Sequence, residues 1–114
     1  MKKPVLVLGG GIAGIQASLD LGEMGIPVFL VESSPSIGGR MAQLDKTFPT
    51  NDCSACILAP KVTECYNHPM VTTLTWSELF ELKGEAPNLT AVIRKKARFV
   101  DEEQCKGCSD CTLE

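Results

Sequence analysis

At 114 residues the chain has the length of one ordinary domain, and its 44% hydrophobic content is that of a globular protein able to build a core. A net charge of −3 and a pI near 5.2 give no electrostatic reason to expect a nucleic-acid partner. The basic start at Lys2 and Lys3 mimics a secretory signal, but the apolar run after it is broken by Gly9, Gly10, Gly11 and Gly14, and no apolar stretch reaches membrane-spanning length, so the chain reads as cytoplasmic.

Val5 to Leu8 is a wholly apolar run ended by glycines, the pattern of a parallel strand buried on both faces. Ile12, Ile15, Gln16, Leu19 and Met24 fit one helix, Ala13, Gly14 and Ala17 allow close packing, and Gly25 closes it. After Pro27, Val28 to Val31 reads as a second buried strand, ending in Glu32. Strand, glycine turn, helix and strand predict a right-handed βαβ unit, because parallel pairing requires such a crossover. Ser33 to Arg40 is a loop by composition, with Gly38 and Gly39 opening a short helix through Leu44, and Thr47 to Ser54 reads as irregular. A second helix is expected from about Pro60 to Tyr66, since proline is tolerated in a first turn. Val71 to Trp76 is strand-like, while Leu79 to Lys83 and Leu89 to Val100 predict an antiparallel hairpin joined by Gly84 to Asn88. The basic cluster Arg94, Lys95, Lys96 and Arg98 lies in that last strand and reads as a solvated face.

Gly9, Gly11 and Gly14 supply the G-x-G-x-x-G turn of a dinucleotide site: a tight turn, close backbone approach to a pyrophosphate, and helix–strand contact. The amides at the helix start face the phosphates, where the macrodipole also favours negative charge. Glu32 stands where a carboxylate accepts hydrogen bonds from ribose hydroxyls, and its charge disfavours a 2′-phosphate. The glycine turn does not separate FAD from NAD. Ser36 to Arg40, just after Glu32, resembles the Gly-Gly segment of flavoproteins with two dinucleotide-binding domains, which implies Gly38, Gly39 and Arg40 along an FAD pyrophosphate.

The six cysteines fall in two groups. Cys105, Cys108 and Cys111 follow the Cys-x-x-Cys-x-x-Cys run of a ferredoxin loop, whose soft thiolates hold three corners of a 4Fe–4S cluster, with Gly107 freeing the turn. A zinc site and unliganded thiols are the rival readings. The fourth cysteine of that run is expected just past Glu114, so the chain reads as the front of a longer redox protein. Cys53, Cys56 and Cys65 admit three readings: ligands of a second cluster, a dithiol exchanging electrons with a flavin, or packed thiols. His68 precedes Pro69 in a turn and reads as a loop residue, and no Ser/His/Asp set or carboxylate pair suggests acid–base catalysis.

Gly9 to Ser18, Pro35 to Cys53, Cys56 to Lys61 and the final cysteine run together closely resemble the A-type polypeptide of heterodisulfide reductase, over nearly the whole chain. Thr50-Asn-Asp-Cys53 followed by Cys56-Ile-Leu-Ala-Pro-Lys61 carries most of the specificity. The resemblance implies an α/β fold: a Rossmann-like FAD/NAD(P)-binding βαβ unit with an antiparallel hairpin, then the start of a ferredoxin-like 4Fe–4S module. On that reading residues 1–100 are part of a thioredoxin-reductase-like FAD domain and residues 101–114 open the ferredoxin-type domain. It implies FAD on Gly9, Gly11, Gly14, Glu32, Gly38, Gly39 and Arg40, and iron on Cys105, Cys108 and Cys111, with Cys53, Cys56 and Cys65 in the family's cysteine-containing segment. Other subunits of a heterodisulfide reductase-type complex are the implied partners, with a hydrogenase or ferredoxin-type electron donor. The implied activity is oxidoreduction, electrons passing between flavin and clusters. Two other readings are open: a non-catalytic truncated piece, and an NAD(P)H-dependent flavin disulfide reductase using Cys53 and Cys56, which predicts flavin without iron.

Overall fold

The computed structural model describes residues 2–112, so the continuation expected past Glu114 lies outside them. In chain order the elements are β1 (Val5–Leu8), α1 (Ile12–Glu23), β2 (Val28–Val31), a 3-10 turn (Gly39–Gln43), α2 (Ser54–Asn67), β3 (Val71–Leu74), β4 (Ser77–Glu85), β5 (Asn88–Lys95) and a second 3-10 turn (Asp110–Thr112). The three short apolar strands form a parallel sheet in the order β1-β2-β3, with Val5 opposite Val28 and Val28 opposite Val71. This is the expected βαβ unit, extended by one further crossover through α2.

Helix α1 buries Ile15, Ser18, Leu19 and Gly22, the i, i+3, i+4, i+7 stripe of an amphipathic helix. Its end is a Schellman cap, with Gly25 N–H donating to Gly22 O, Ile26 N–H donating to Leu21 O, and Gly25 at φ +74°. The sequence pattern puts Ile12 and Met24 on the packed face, but both are exposed, because the helix presses its small residues inward instead. Gly22 packs tightly against the segment that follows α2. A Cβ there would lie 2.7 Å from Cε1 of His68, whose Nδ1 accepts the Met70 N–H at 3.1 Å and so fixes the ring. Gly22→Ala is therefore expected to cost about 1–3 kcal/mol by overpacking. His68→Ala in the same chain should recover part of that loss, as a double-mutant cycle of urea midpoints would show.

Helix α2 begins earlier than its proline suggests. Cys53 is the N-cap and Pro60 lies inside the helix. Pro60 deprives the Cys56 carbonyl of its usual donor, and Cys56 is exposed, so water can take that place. Leu58 and Cys65 of α2 join Ile15 and Leu19 of α1, Val28 and Leu30 of β2, Ile37 and Val71 in one core. Full burial of a side chain the size of Leu30 or Ile15 is worth about 1.5–3 kcal/mol.

The opposite face of the sheet carries Leu6, Phe29 and Leu74, and β5 leans over it with Leu89, Ala91 and Ile93 across a gap of about 340 Å³. The burial on both faces expected of β1 and β2 is incomplete. Leu8 is 56% and Phe29 41% exposed, since among the described residues β1 pairs only with β2 and the hairpin covers its face in part. The hairpin is longer than expected on the β4 side and tighter at its turn: Glu85 pairs with Asn88 around Ala86 and Pro87, and a bulge at Phe80 interrupts β4. Lys3 ties the hairpin tip to the start of β1 through Asn88 Oδ1 at 2.7 Å. β3 stops at Leu74, short of Trp76, where the chain turns at φ +51° and Trp76 N–H donates to Ser34 O. Two residues of the basic cluster find partners within the chain: Arg94 meets Glu78 and lies 4.3 Å over the Phe80 ring, and Lys96 lies 4.7 Å over Trp76.

Candidate functional site

The parallel sheet delivers two glycine-rich segments to one place. Gly9 continues β1 by donating its N–H to Val31 O at 2.8 Å, then turns at φ +105°, a conformation that favours glycine. Gly14, in the first turn of α1, lies so close to that turn that a Cβ would stand 1.8 Å from Gly9 O. Gly10 is held from the other side, its would-be Cβ 2.8 Å from Ile37 Cγ2 and 3.2 Å from Glu32 Cβ. Gly11 differs from all three. Its φ of −75° is open to any residue and nothing lies within 4 Å of a Cβ placed there, so neither backbone nor packing asks for glycine. The space beside Gly11 opens at the N-terminus of a 12-residue helix that has no side-chain cap and no acidic residue in its first turn.

The Gly38–Gly39 segment locks onto this turn. Gly38 N–H donates to Gly10 O at 2.7 Å, and a Cβ on Gly39 would lie 2.8 Å from Gly11 Cα. Both glycines have positive φ, +128° and +56°. Arg40 follows on the exposed 3-10 turn. Glu32 follows β2 directly, beside Gly9 in a cleft of about 210 Å³ shared with Leu8, Ser33, Ser77 and Leu79. Its backbone is pinned by Leu74 O and Ser77 N–H, at 2.9 and 3.0 Å. All seven residues expected at a dinucleotide therefore lie along two interlocked segments. Gly10 and Ile37, which the motif leaves unspecified, are the parts that hold those segments together, and only the run of three consecutive glycines hints at them.

The cysteines are not gathered. Cys53 and Cys56 are joined by a disulfide at the start of α2, and both are exposed. Cys65 is fully buried, nine residues after Cys56, which is about 13.5 Å along a helix and half a turn out of phase. Burial pushes the Cys65 thiol above its ordinary value of 9.0, the neighbouring Thr73 hydroxyl opposes that rise, and Glu64 adds to it. The unfolded chain then ionises Cys65 at lower pH than the folded one. The stabilisation it gives is complete below about pH 9 and is lost as pH climbs through the folded value. Urea midpoints taken from pH 8 to 10.5 should fall more steeply for the native chain than for Cys65→Ala.

Cys105, Cys108 and Cys111 are exposed and unpaired. Gly107 turns between them at φ +70°, and the Cys108 thiol donates to Asp110 Oδ2 at 3.3 Å. Arg98 anchors the start of this segment to Pro35 O, to Thr75 Oγ1 and to Glu102, and Cys105 and Cys111 line an apolar cleft of about 540 Å³ with Trp76 and Phe99. Among the described residues no three His, Cys, Asp or Glu side chains surround a point that could hold a metal. No helix among them is long and apolar enough to cross a membrane.

Residues 4–109 match the family described as FAD dependent oxidoreductase. The chain belongs to that family. The resemblance drawn from its sequence holds in close relatives. It is 59% identical over 93% of its length to one of the A-type iron-sulfur polypeptides of CoB–CoM heterodisulfide reductase in Methanopyrus kandleri. It is 56% identical over 96% of its length to the corresponding iron-sulfur polypeptide of CoB–CoM heterodisulfide reductase in Methanocaldococcus jannaschii. The chain spans only 16% and 17% of the length of those two relatives. Among solved structures it is similar in fold to L-proline dehydrogenase from P. horikoshii, with a TM-score of 0.67 and 21% identity, covering 81% of this chain and 19% of that one. A FAD-dependent pyridine nucleotide-disulphide oxidoreductase from Desulfovibrio vulgaris gives a TM-score of 0.56 at 20% identity, covering 83% of this chain and 21% of that one. The FAD-dependent oxidoreductase fold thus includes both the parallel sheet and the hairpin found here.

Proposed function

We propose that this chain holds the dinucleotide end of FAD in an electron-transfer subunit of the heterodisulfide reductase type. The observation that carries the reading is the open space at Gly11, because a glycine required by neither backbone nor neighbours is explained by a ligand that must come close. Gly9 and Gly14 shape the turn, and the free amides opening α1 would hold the pyrophosphate. Gly38 and Gly39 bring a second backbone to the same place, Arg40 supplies positive charge, and the Glu32 carboxylate accepts the ribose hydroxyls. FAD, when bound, supplies the two-electron chemistry, and the protein supplies position and electrostatics.

On this reading residues 1–100 belong to the flavin domain, and Cys105, Cys108 and Cys111 are three thiolate ligands of a 4Fe–4S cluster that relays single electrons. The spacing of the three cysteines supports that role, as do the turn at Gly107 between them and the Arg98 anchor ahead of them. The relatives' names suggest the setting: one belongs to an H2:CoB–CoM heterodisulfide,ferredoxin reductase and another to a ferredoxin/F420H2-dependent CoB–CoM heterodisulfide reductase. Partner subunits, with a hydrogenase or ferredoxin-type donor, follow from that setting. The test is cofactor content of the full-length protein purified without oxygen. Bound FAD, and loss of one cluster's iron in Cys108→Ser with flavin retained, supports both parts. Flavin without any iron that depends on Cys108 removes the cluster, and absence of flavin removes the reading.

A further inference from the structure

Neither the glycine turn nor the final cysteine run uses Cys53 and Cys56, yet the fold gives them a distinct setting. Their sulfurs are bonded to each other, three positions apart, on an exposed helix start. Packed structural thiols are buried, as Cys65 is. A shared metal site with Cys65 is out of reach along the helix, as shown above. What remains is a pair of thiols held within bonding distance in contact with solvent.

The surroundings favour negative charge on one sulfur in particular. Cys53 is the N-cap of a 14-residue helix whose first turn contains no acidic residue, and its Sγ accepts the Cys56 N–H at 3.2 Å. The helix dipole and that N–H both stabilise a thiolate there. Lys46 stands opposite Cys53 in an antiparallel bridge, which places the two side chains on the same side with Cβ atoms about 5 Å apart. The bridge is stiffened by Ser54 N–H donating to Asp45 O at 3.1 Å and Thr47 N–H donating to Asp52 O at 2.9 Å. Cys56, inside the first turn, has no such donor directed at its sulfur among the described residues.

We propose that Cys53 and Cys56 are a redox-active dithiol–disulfide pair that exchanges two electrons with external thiols and disulfides, with Cys53 as the attacking thiolate. In the reduced pair the Cys53 thiolate attacks one sulfur of an external disulfide RS–SR′. That bond breaks, R′S⁻ leaves and is protonated by water, and a Cys53–SR mixed disulfide forms. Cys56 then gives up its thiol proton to solvent and attacks Cys53 Sγ, expelling RS⁻, which is protonated in turn. One external disulfide is reduced to two thiols while two protein thiols are oxidised to one disulfide. An external dithiol reverses both steps and restores the pair. This chemistry does not depend on what fills the space beside Gly11.

The full-length protein is equilibrated without oxygen in glutathione mixtures, alkylated, and the peptide carrying both cysteines is weighed by mass spectrometry. Both thiols should convert together, the oxidised-to-reduced ratio changing tenfold for each tenfold change in [GSSG]/[GSH]². In Cys56→Ser, Cys53 should trap glutathione from its disulfide at least about threefold faster than Cys56 does in Cys53→Ser. Three results overturn the proposal: both thiols stay reduced at every ratio, the two variants trap glutathione at equal rates, or Cys53→Ser loses iron. Flavin content measured on the same samples separates the readings. Flavin with an inert pair overturns this inference alone, and a titrating pair without flavin overturns only the dinucleotide reading.

Discussion

Replacing Gly14 by alanine is expected to cost at least about 3 kcal/mol, a large part of the roughly 5–15 kcal/mol that holds a domain together. The added Cβ would sit 1.8 Å from the carbonyl oxygen of Gly9 and 3.0 Å from its carbon, and both are backbone atoms that no rotamer change can move. Relief requires α1 to withdraw from the turn, and that withdrawal pulls Ile15 and Leu19 out of the core they share with Leu30. The measurement is the urea midpoint of the full-length protein, read by circular dichroism. A midpoint equal to that of the native chain would mean that the turn is not held as described.

At Gly11 the same substitution should do the opposite. Alanine accepts φ −75° and meets no atom within 4 Å, so stability should be unchanged or raised by about 0.4–1 kcal/mol through a stiffer unfolded chain. Flavin affinity should fall roughly 10- to 100-fold, the cost of displacing one or two charge-assisted hydrogen bonds from the helix start. Titration of the flavin-free protein with FAD, followed by quenching of flavin fluorescence, checks the affinity, and a urea midpoint checks the fold. An unchanged affinity would remove Gly11 from the ligand site. Two glycines three positions apart in one motif would then differ in kind, one serving the polypeptide and the other its ligand.

The legible parts of this fold are those set by local pattern. Val5 to Leu8 and Val28 to Val31 announce parallel strands, and the glycines between them announce the turn, because few other sequences join a buried strand to a helix so abruptly. Exposure is less legible, since it depends on what covers Phe29 and Leu8 rather than on their own character. Pro60 misleads the reading of α2, because a proline in a first turn and a proline tolerated on an exposed helix side look alike in sequence. That error carries into the cysteines. Only with the helix starting at Ser54 does its phase put Cys56 and Cys65 on opposite sides, so whether those thiols share a task is hidden behind a boundary. The interlock of Gly38 and Gly39 with Gly10 and Gly11 is a contact between segments far apart in sequence, and the Gly-Gly pair signals it without giving its geometry.

Strand β1 pairs with β2 on one side alone, and its residues Val5, Leu6, Val7 and Leu8 carry no charge. The other side offers a ladder of amide and carbonyl groups to any extended segment that arrives, from this polypeptide or from a neighbouring molecule. Lys2, Lys3 and Pro4, immediately before the strand, act as gatekeepers against that second fate. A preparation restricted to these 114 residues therefore faces a contest between solubility and cross-molecular zippering that concentration decides, with dilution and low ionic strength favouring the monomer.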